Sequence, residues 1–342
     1  MLLKISRVFT VHCFVFSCLL SSFAVLATVV NDDLLPPLSS QWLSRTDMSH
    51  PHTSKKYQSL LNHSVLIGDV LAIGGYSTVY HGLLLPSMLP VVLKCADPQS
   101  ENSDFMFSTL RKEQDYLLAI SEHPYILSLV DSVYYEETGH ACLVLRKIQR
   151  GNIMDWMRRN RNKQNKESVQ LKVVILRLLH ALAHVHKHGV AHLDIKPQNV
   201  LIDEDGATPV LCDFGTSAFL DPETRFWMEM KHQQHWTINQ QPFTLGYEPP
   251  EFKDMSVDAV HNVDLRKSDV WQLGVLLRYM LTHRDAMLNK NLREHGVRLL
   301  MKGFSMEAIE LVVCMTHQDP QERCSVQKAM QSAWFDDARK YV

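Results

Sequence analysis

The chain has 342 residues, of which 46% are apolar and 21% charged, with a formal net charge of −2. That predicts a folded globular protein, either one large two-lobed domain or two ordinary ones. A near-neutral charge gives no bulk field to draw in nucleic acid or anionic lipid, so nucleic acid is not an expected partner.

Residues 1–30 differ from the rest. Lys4 and Arg7 precede an uncharged run, VFTVHCFVFSCLLSSFAVLATVV (8–30), and Asp32 and Asp33 follow it. This order fits a signal peptide, with Val25 and Ala27 placed for a cut. The run is also long enough to cross a bilayer as an uncleaved anchor, which would associate the protein with a membrane. Either form puts the remainder in the secretory pathway, secreted or membrane-anchored. A location on the cytoplasmic face of membranes is the alternative. Residues 31–64 read as a linker, rich in Ser, Pro and His in its first part. The sequon Asn62-His63-Ser64 favours the lumen, though a lone sequon is weak evidence. The cysteines argue the other way. Cys95, Cys142, Cys212, Cys314 and Cys324 are odd in number and have no framework-like spacing, so they read as small core residues in a reducing compartment.

From residue 65 the pattern is strand-like, in VLIGDVLAI, STVYHGLLL and PVVLKCA. A helical period over about 104–121 follows. YILSLVDSV and ACLVLRKI then predict two more strands. After Gly151 the period becomes helical. Residues 169–186 are apolar on nearly every face and predict a buried helix, with Ser168 as N-cap and Gly189 as stop. A second buried helix is expected to start at Ser268, and two more near 305–317 and 325–335. No internal repeat is visible. The expected class is α+β, with a β-rich lobe over 65–148 and a mainly helical lobe over 149–338.

Several polar groups stand out in this frame. LAIGGYSTVYHG carries glycines that let backbone N–H groups approach phosphate oxygens. Lys94 interrupts an apolar strand, and Glu113 on the next helix is placed to pair with it. HLDIKPQN (192–199) sets Asp194, Lys196 and Asn199 close together. Further on come DFG (213–215), PPE (249–251) and DVWQLG (269–274). Each alone is weak. His184, His186 and His188 near a helix end, and His232 and His235, read as surface histidines rather than metal ligands.

Taken in order, these motifs resemble those of the eukaryotic protein kinase family over about residues 65–337. The resemblance implies a two-lobed α+β kinase fold with ATP and Mg²⁺ as cofactors and a protein as substrate. It implies that Lys94, oriented by Glu113, holds the ATP phosphates, and that Ala72, Gly74, Gly75 and Ser77 form the loop over them. Leu145 would be the gatekeeper, with Arg146, Lys147 and Ile148 in the hinge and Val79, Val92 and Leu201 against adenine. Asp194 would be the catalytic base and Lys196 would stabilise the transferring charge. Asn199 and Asp213 would hold the metal. Lys196, two places after the base, is the Ser/Thr form, and Thr244 in FTLGYEPPE resembles the substrate-side threonine of Ser/Thr kinases. Glu251 with Arg323, and Asp269 under the catalytic loop, would be structural.

The departures are informative. Ala72 and Ser77 stand where the loop has glycines, and Val92 replaces a small alanine. Leu193 replaces the arginine that reads activation-loop phosphate, so that phosphate should have less leverage. GGYSTVY, LRKIQRGNI and DEDGATPVLCDFG look like the Numb-associated kinases, nearest their myristoylated and palmitoylated branch. The residues between PPE and DVW are expected to hold that family's extra helix. Leu2 stands where myristoylation needs glycine. The expected function is a serine/threonine protein kinase. A pseudokinase scaffold of the same fold is the alternative, and a small-molecule kinase a third reading.

Overall fold

Three strands expected between residues 65 and 96 pair as neighbours in one antiparallel sheet. The computed structural model describes residues 58–59, 64–74, 77–96, 103–120, 122–134, 141–160, 167–225, 244–252, 263–283 and 303–342. The apolar run 8–30, Gly75, the Asn62 sequon, His232 and His235, and most of the segment between PPE and DVW lie outside these residues. Two units are distinguished: Met1–Gln114 with Ser128–Gly151, and Asp115–Leu127 with Asn152–Val342.

The first unit holds β1 (Gln58–Ser59), β2 (Ser64–Ile73), β3 (Thr78–Leu85), β4 (Leu89–Ala96), β5 (Leu129–Tyr134) and β6 (Ala141–Arg146). They lie in the order β1-β5-β6-β4-β3-β2, and every neighbouring pair is antiparallel. Alternation explains which side chains go where. Val91, Leu93 and Cys95 of β4 join Val65, Leu84, Val133, Cys142 and Val144 in one apolar cluster. Val92 and Lys94 fall on the opposite face. Helix α1 (Ser103–Ile120) buries Met106, Leu110, Glu113, Tyr116, Leu117 and Ile120, a spacing that gives one inward stripe, while Leu118 is exposed.

The second unit is mainly helical. Helix α2 (Ile153–Asn160) is followed by α3 (Val169–Lys187). Ser168 caps α3 by accepting from Leu171 N, and Gly189 beyond it adopts φ +74, which a side chain would disfavour. Next come β7 (Val190–Ala191), a 3₁₀ turn at Pro197–Asn199, and the hairpin β8 (Val200–Ile202) and β9 (Pro209–Leu211). Strand β10 (Ala218–Phe219) pairs antiparallel with β7. Helices α4 (Leu265–Thr282), α5 (Met306–Met315) and α6 (Val326–Met330) complete the unit. Gly274 lets α4 and α5 approach, since a Cβ there would lie 2.7 Å from Met315 Cβ and Thr316 Cγ2.

The class is α+β, as the sequence predicted, with three corrections. Helix α4 starts a turn before Ser268, because Asp264 caps it through Arg266 N and Leu265 is already buried. Helix α6 stops at Met330, where Ser332 takes the Trp334 N–H and opens a 3₁₀ turn at Ala333–Phe335. The reading of the cysteines as unpaired core residues is overturned for four of them. Cys95 and Cys142 face each other in the β4–β6 register and form a disulfide, and Cys314 forms one with Cys324. Among the described residues Cys212 is the one cysteine outside a disulfide, and it is buried. Pairing of this kind follows from register and packing, which spacing along the chain does not reveal.

Candidate active site

In the second unit α4 builds a platform for residues 192–199. Asp269 is fully buried. Its two carboxylate oxygens accept from His192 N at 2.9 Å and Leu193 N at 2.7 Å. One helical turn on, Gln272 accepts from Ile195 N and donates to Leu193 O, both at 2.8 Å. His186 Nε2 lies 2.8 Å from Asp269 Oδ2. These contacts hold Leu193 at φ +68, a conformation uncommon for a branched residue. His186 is therefore not a surface residue. His184 and His188 are half-buried and stacked, which corrects that reading too. Gln272 escaped notice in the sequence, although an amide inside the apolar run DVWQLG was a usable signal.

His192 locks the loop to the DFG segment. Asp194 N donates to its Nδ1, so the ring proton sits on Nε2 and is donated to Cys212 O at 3.0 Å. Its ring meets buried Phe214 edge-on with centroids 4.7 Å apart. Cys212 N donates to Asn199 O. Asp213 sits at φ +67.

The carboxylate of Asp194 is the hub. Thr244 Oγ1 donates to Oδ1 at 2.8 Å, and Asn199 Nδ2 donates to Oδ2 at 2.8 Å. Lys196 Nζ lies 2.7 Å from Oδ2 and donates to Thr244 Oγ1 at 2.8 Å. Burial pushes the Asp194 carboxyl above its ordinary value, and the charge of Asp213 adds to this. Lys196 and Thr244 oppose the rise. The arrangement is a buried proton acceptor whose charged form is held by an ammonium and two hydrogen bonds.

In the first unit Lys94 Nζ lies 2.5 Å from Glu113 Oε2, and Glu113 is 1% exposed. Register sets Lys94 between Val79 on β3 and Leu143 on β6, and sets Val92 opposite Leu145. Ala72 pairs with Val79, and Gly74 N donates to Ser77 O, closing the turn between β2 and β3. Lys147 and buried Ile148 follow β6 directly. Leu201 belongs to the second unit, on β8 opposite Val210. Glu251 and Arg323 form a two-pronged ion pair at 2.8 and 2.7 Å. Arg323 also donates to the carbonyls of His317 and Lys267 and lies over the Trp271 ring.

The sequence profile described as "Protein kinase domain" matches residues 66–335. The chain belongs to the protein kinase family. Its relatives include the phosphorylase b kinase gamma catalytic chain, liver/testis isoform, of Bos taurus, 27% identical over 243 residues, covering 66% of this chain and 54% of that one. CBL-interacting serine/threonine-protein kinase 20 of Arabidopsis thaliana is 24% identical over 283 residues, covering 81% and 59%. Serine/threonine-protein kinase cds1 of Schizosaccharomyces pombe is 27% identical over 239 residues, covering 66% and 47%. The chain thus spans about half the length of the curated relatives it matches. The sheet-bearing and helical units are those of the α+β protein kinase fold.

Proposed function

We propose that the chain is an active serine/threonine protein kinase that transfers the γ-phosphoryl group of ATP to a protein hydroxyl. The observation that carries this is the complete network around Asp194, with Lys196, Asn199 and Thr244 all in hydrogen-bond reach. A pseudokinase scaffold has no need of a buried carboxylate paired with a lysine. Asp194 would take the proton of the substrate hydroxyl as it attacks, a step that general-base groups commonly accelerate by about 10²–10⁴. Thr244 would orient that carboxylate from the substrate side, and Lys196 would neutralise charge on the group in transit. The Ser/Thr kinase names of the relatives favour the same substrate class.

The donor set fits Mg²⁺. Asn199 commits its amide nitrogen to Asp194, which leaves its oxygen for a cation, and Asp213 offers a carboxylate. When bound, Mg·ATP supplies the phosphoryl group and the metal charge that screens it. Lys94, braced by Glu113, would hold the phosphates under the turn of Ala72, Gly74, Gly75 and Ser77. Val79, Val92, Leu145, Lys147, Ile148 and Leu201 would receive adenine. The test is phosphate incorporation into a Ser/Thr substrate by wild type and by Asp194→Asn, with nucleotide binding measured on both. Equal incorporation by the two would rule the assignment out.

Three finer readings go with this one. Leu193 is fully buried in an apolar cluster with Ala191, Ala218, Phe252 and Leu265, packed by Leu220 and Val263. We propose that this packing holds the activation segment where other kinases use phosphate, so phosphatase treatment should leave activity intact. We also propose that the chain groups with the Numb-associated kinases, in their myristoylated and palmitoylated branch, on the motifs that resemble theirs. Hydrogen exchange that finds residues 253–262 unprotected would count against that branch and its extra helix. Last, we propose that the domain matures in the secretory pathway, secreted or anchored through residues 8–30. Two disulfides favour an oxidising compartment over a cytosolic one. An Asn62 glycan removable by a glycosidase would support it, and cytosolic protein with all thiols free would refute it.

A further inference from the structure

Four histidines gather beside α3. His180, His184 and His188 recur every fourth residue and so share one helix face. His123, from the loop after α1, lies against them. Its ring centroid is 4.5 Å from that of His184, which is 4.2 Å from that of His188, with ring planes tilted by 33° and 41°. Tyr125 meets the His123 ring edge-on at 5.3 Å.

The hydrogen bonds fix the ring nitrogens. Tyr125 N donates to His123 Nδ1, His184 Nε2 donates to Ile120 O, and His188 Nδ1 donates to His184 O. A ring nitrogen that accepts from a backbone N–H is unprotonated, so His123 is neutral in this arrangement. The rings meet by their faces rather than by converging nitrogens. No metal-holding group of three His, Cys, Asp or Glu occurs among the described residues.

Residues 115–127 are what the stack holds. Further ties within the second unit include Leu127 N to Leu211 O, Leu211 N to Tyr125 O, the Tyr116–Phe219 ring contact and Arg177 over the Tyr125 ring. Glu113, the partner of Lys94, lies two residues before this segment.

We propose that the histidine stack is an acid-released latch, holding residues 115–127 against α3 when its rings are neutral and letting them go when they become cations. Two imidazolium rings in contact would repel, and a protonated His123 Nδ1 would lose the Tyr125 bond. Burial and the neighbouring rings of His184, His180 and His188 hold His123 down to about 4 from 6.5. Burial likewise lowers His184, opposed by the Ile120 carbonyl and reinforced by His188 and Lys187, and burial lowers His180. No carboxylate figures among the groups acting on these three rings. Glu122 is exposed, and Arg177 lies against the Tyr125 ring.

The sign follows from the lowered values. The latch is at full strength above the unfolded value of 6.5 and weakens as pH falls toward about 4. From His123 alone the closed state is disfavoured about tenfold at about pH 5.5.

The test is hydrogen exchange of residues 122–127 in the whole chain at about pH 7.5 and about pH 5.5, corrected for the intrinsic rate. The comparison is His123→Asn with His184→Gln, which keeps a neutral acceptor for Tyr125 N and a neutral donor for Ile120 O. Wild type should lose about tenfold in protection and the variant less than about twofold. Equal losses would overturn the proposal. Should the variant not fold, imidazole titration of wild type by NMR decides. A His123 midpoint well below the ordinary histidine value supports the latch, and one at or above it overturns the latch.

Discussion

Leu193 and Asp194 are neighbours with separate work. Leu193 turns into an apolar cluster, and Asp194 turns to Thr244, Asn199 and Lys196. Leu193→Arg would place a guanidinium among Phe252, Leu265 and Ala218, and should lower stability by roughly 2–4 kcal/mol. Its activity should then depend on phosphate in the activation segment. Denaturant midpoints and assays before and after phosphatase check both effects. For Asp194 the raised value sets the pH behaviour. A base works only when ionised, so kcat/KM should fall as pH drops through that raised value. Lys196 pulls the value down, so Lys196→Met should move the acid limb to higher pH as well as reduce kcat. An unmoved limb would mean that another group controls it.

At the scale of elements, α4 is the organiser of the catalytic loop. Asp269 and Gln272 satisfy three backbone N–H groups and one carbonyl of residues 192–195. Gln272→Leu leaves two of these buried groups unpaired and should cost about 1–3 kcal/mol. The loss should appear in kcat more than in nucleotide affinity. The sequence showed the element types, the order of the strands along the chain and the charged residues, because period and motif order are local properties. It did not show Gln272 and His186 under the loop, nor the stacked rings of His123 and His184. Those depend on which helix faces meet, which no single stretch encodes. The start of α4 was missed for a related reason. The apolar run begins at Val270, but the cap and first buried residue lie earlier, in the polar stretch DLRKSD.

For the whole molecule, the two disulfides remove the argument that its cysteines made for a reducing compartment. Cys314–Cys324 closes a short loop beside Arg323, the partner of Glu251. Removing both cysteines as Cys314→Ala with Cys324→Ala should lower stability by roughly 2–3 kcal/mol. Reductant should lower wild type at least as far as the variant, since it also opens Cys95–Cys142. If reductant leaves the denaturant midpoint unchanged, the bond is not formed in the purified protein. Profile match, relatives and network around Asp194 all lead to phosphotransfer as the central claim. The most direct test is γ-phosphate transfer from labelled ATP with Mg²⁺ to a Ser/Thr protein substrate, comparing wild type with Asp194→Asn at matched folding. Wild type should label the substrate on serine or threonine, and the variant should fall by at least about a hundredfold while still binding nucleotide. Equal labelling by both, or none by either, would contradict the account.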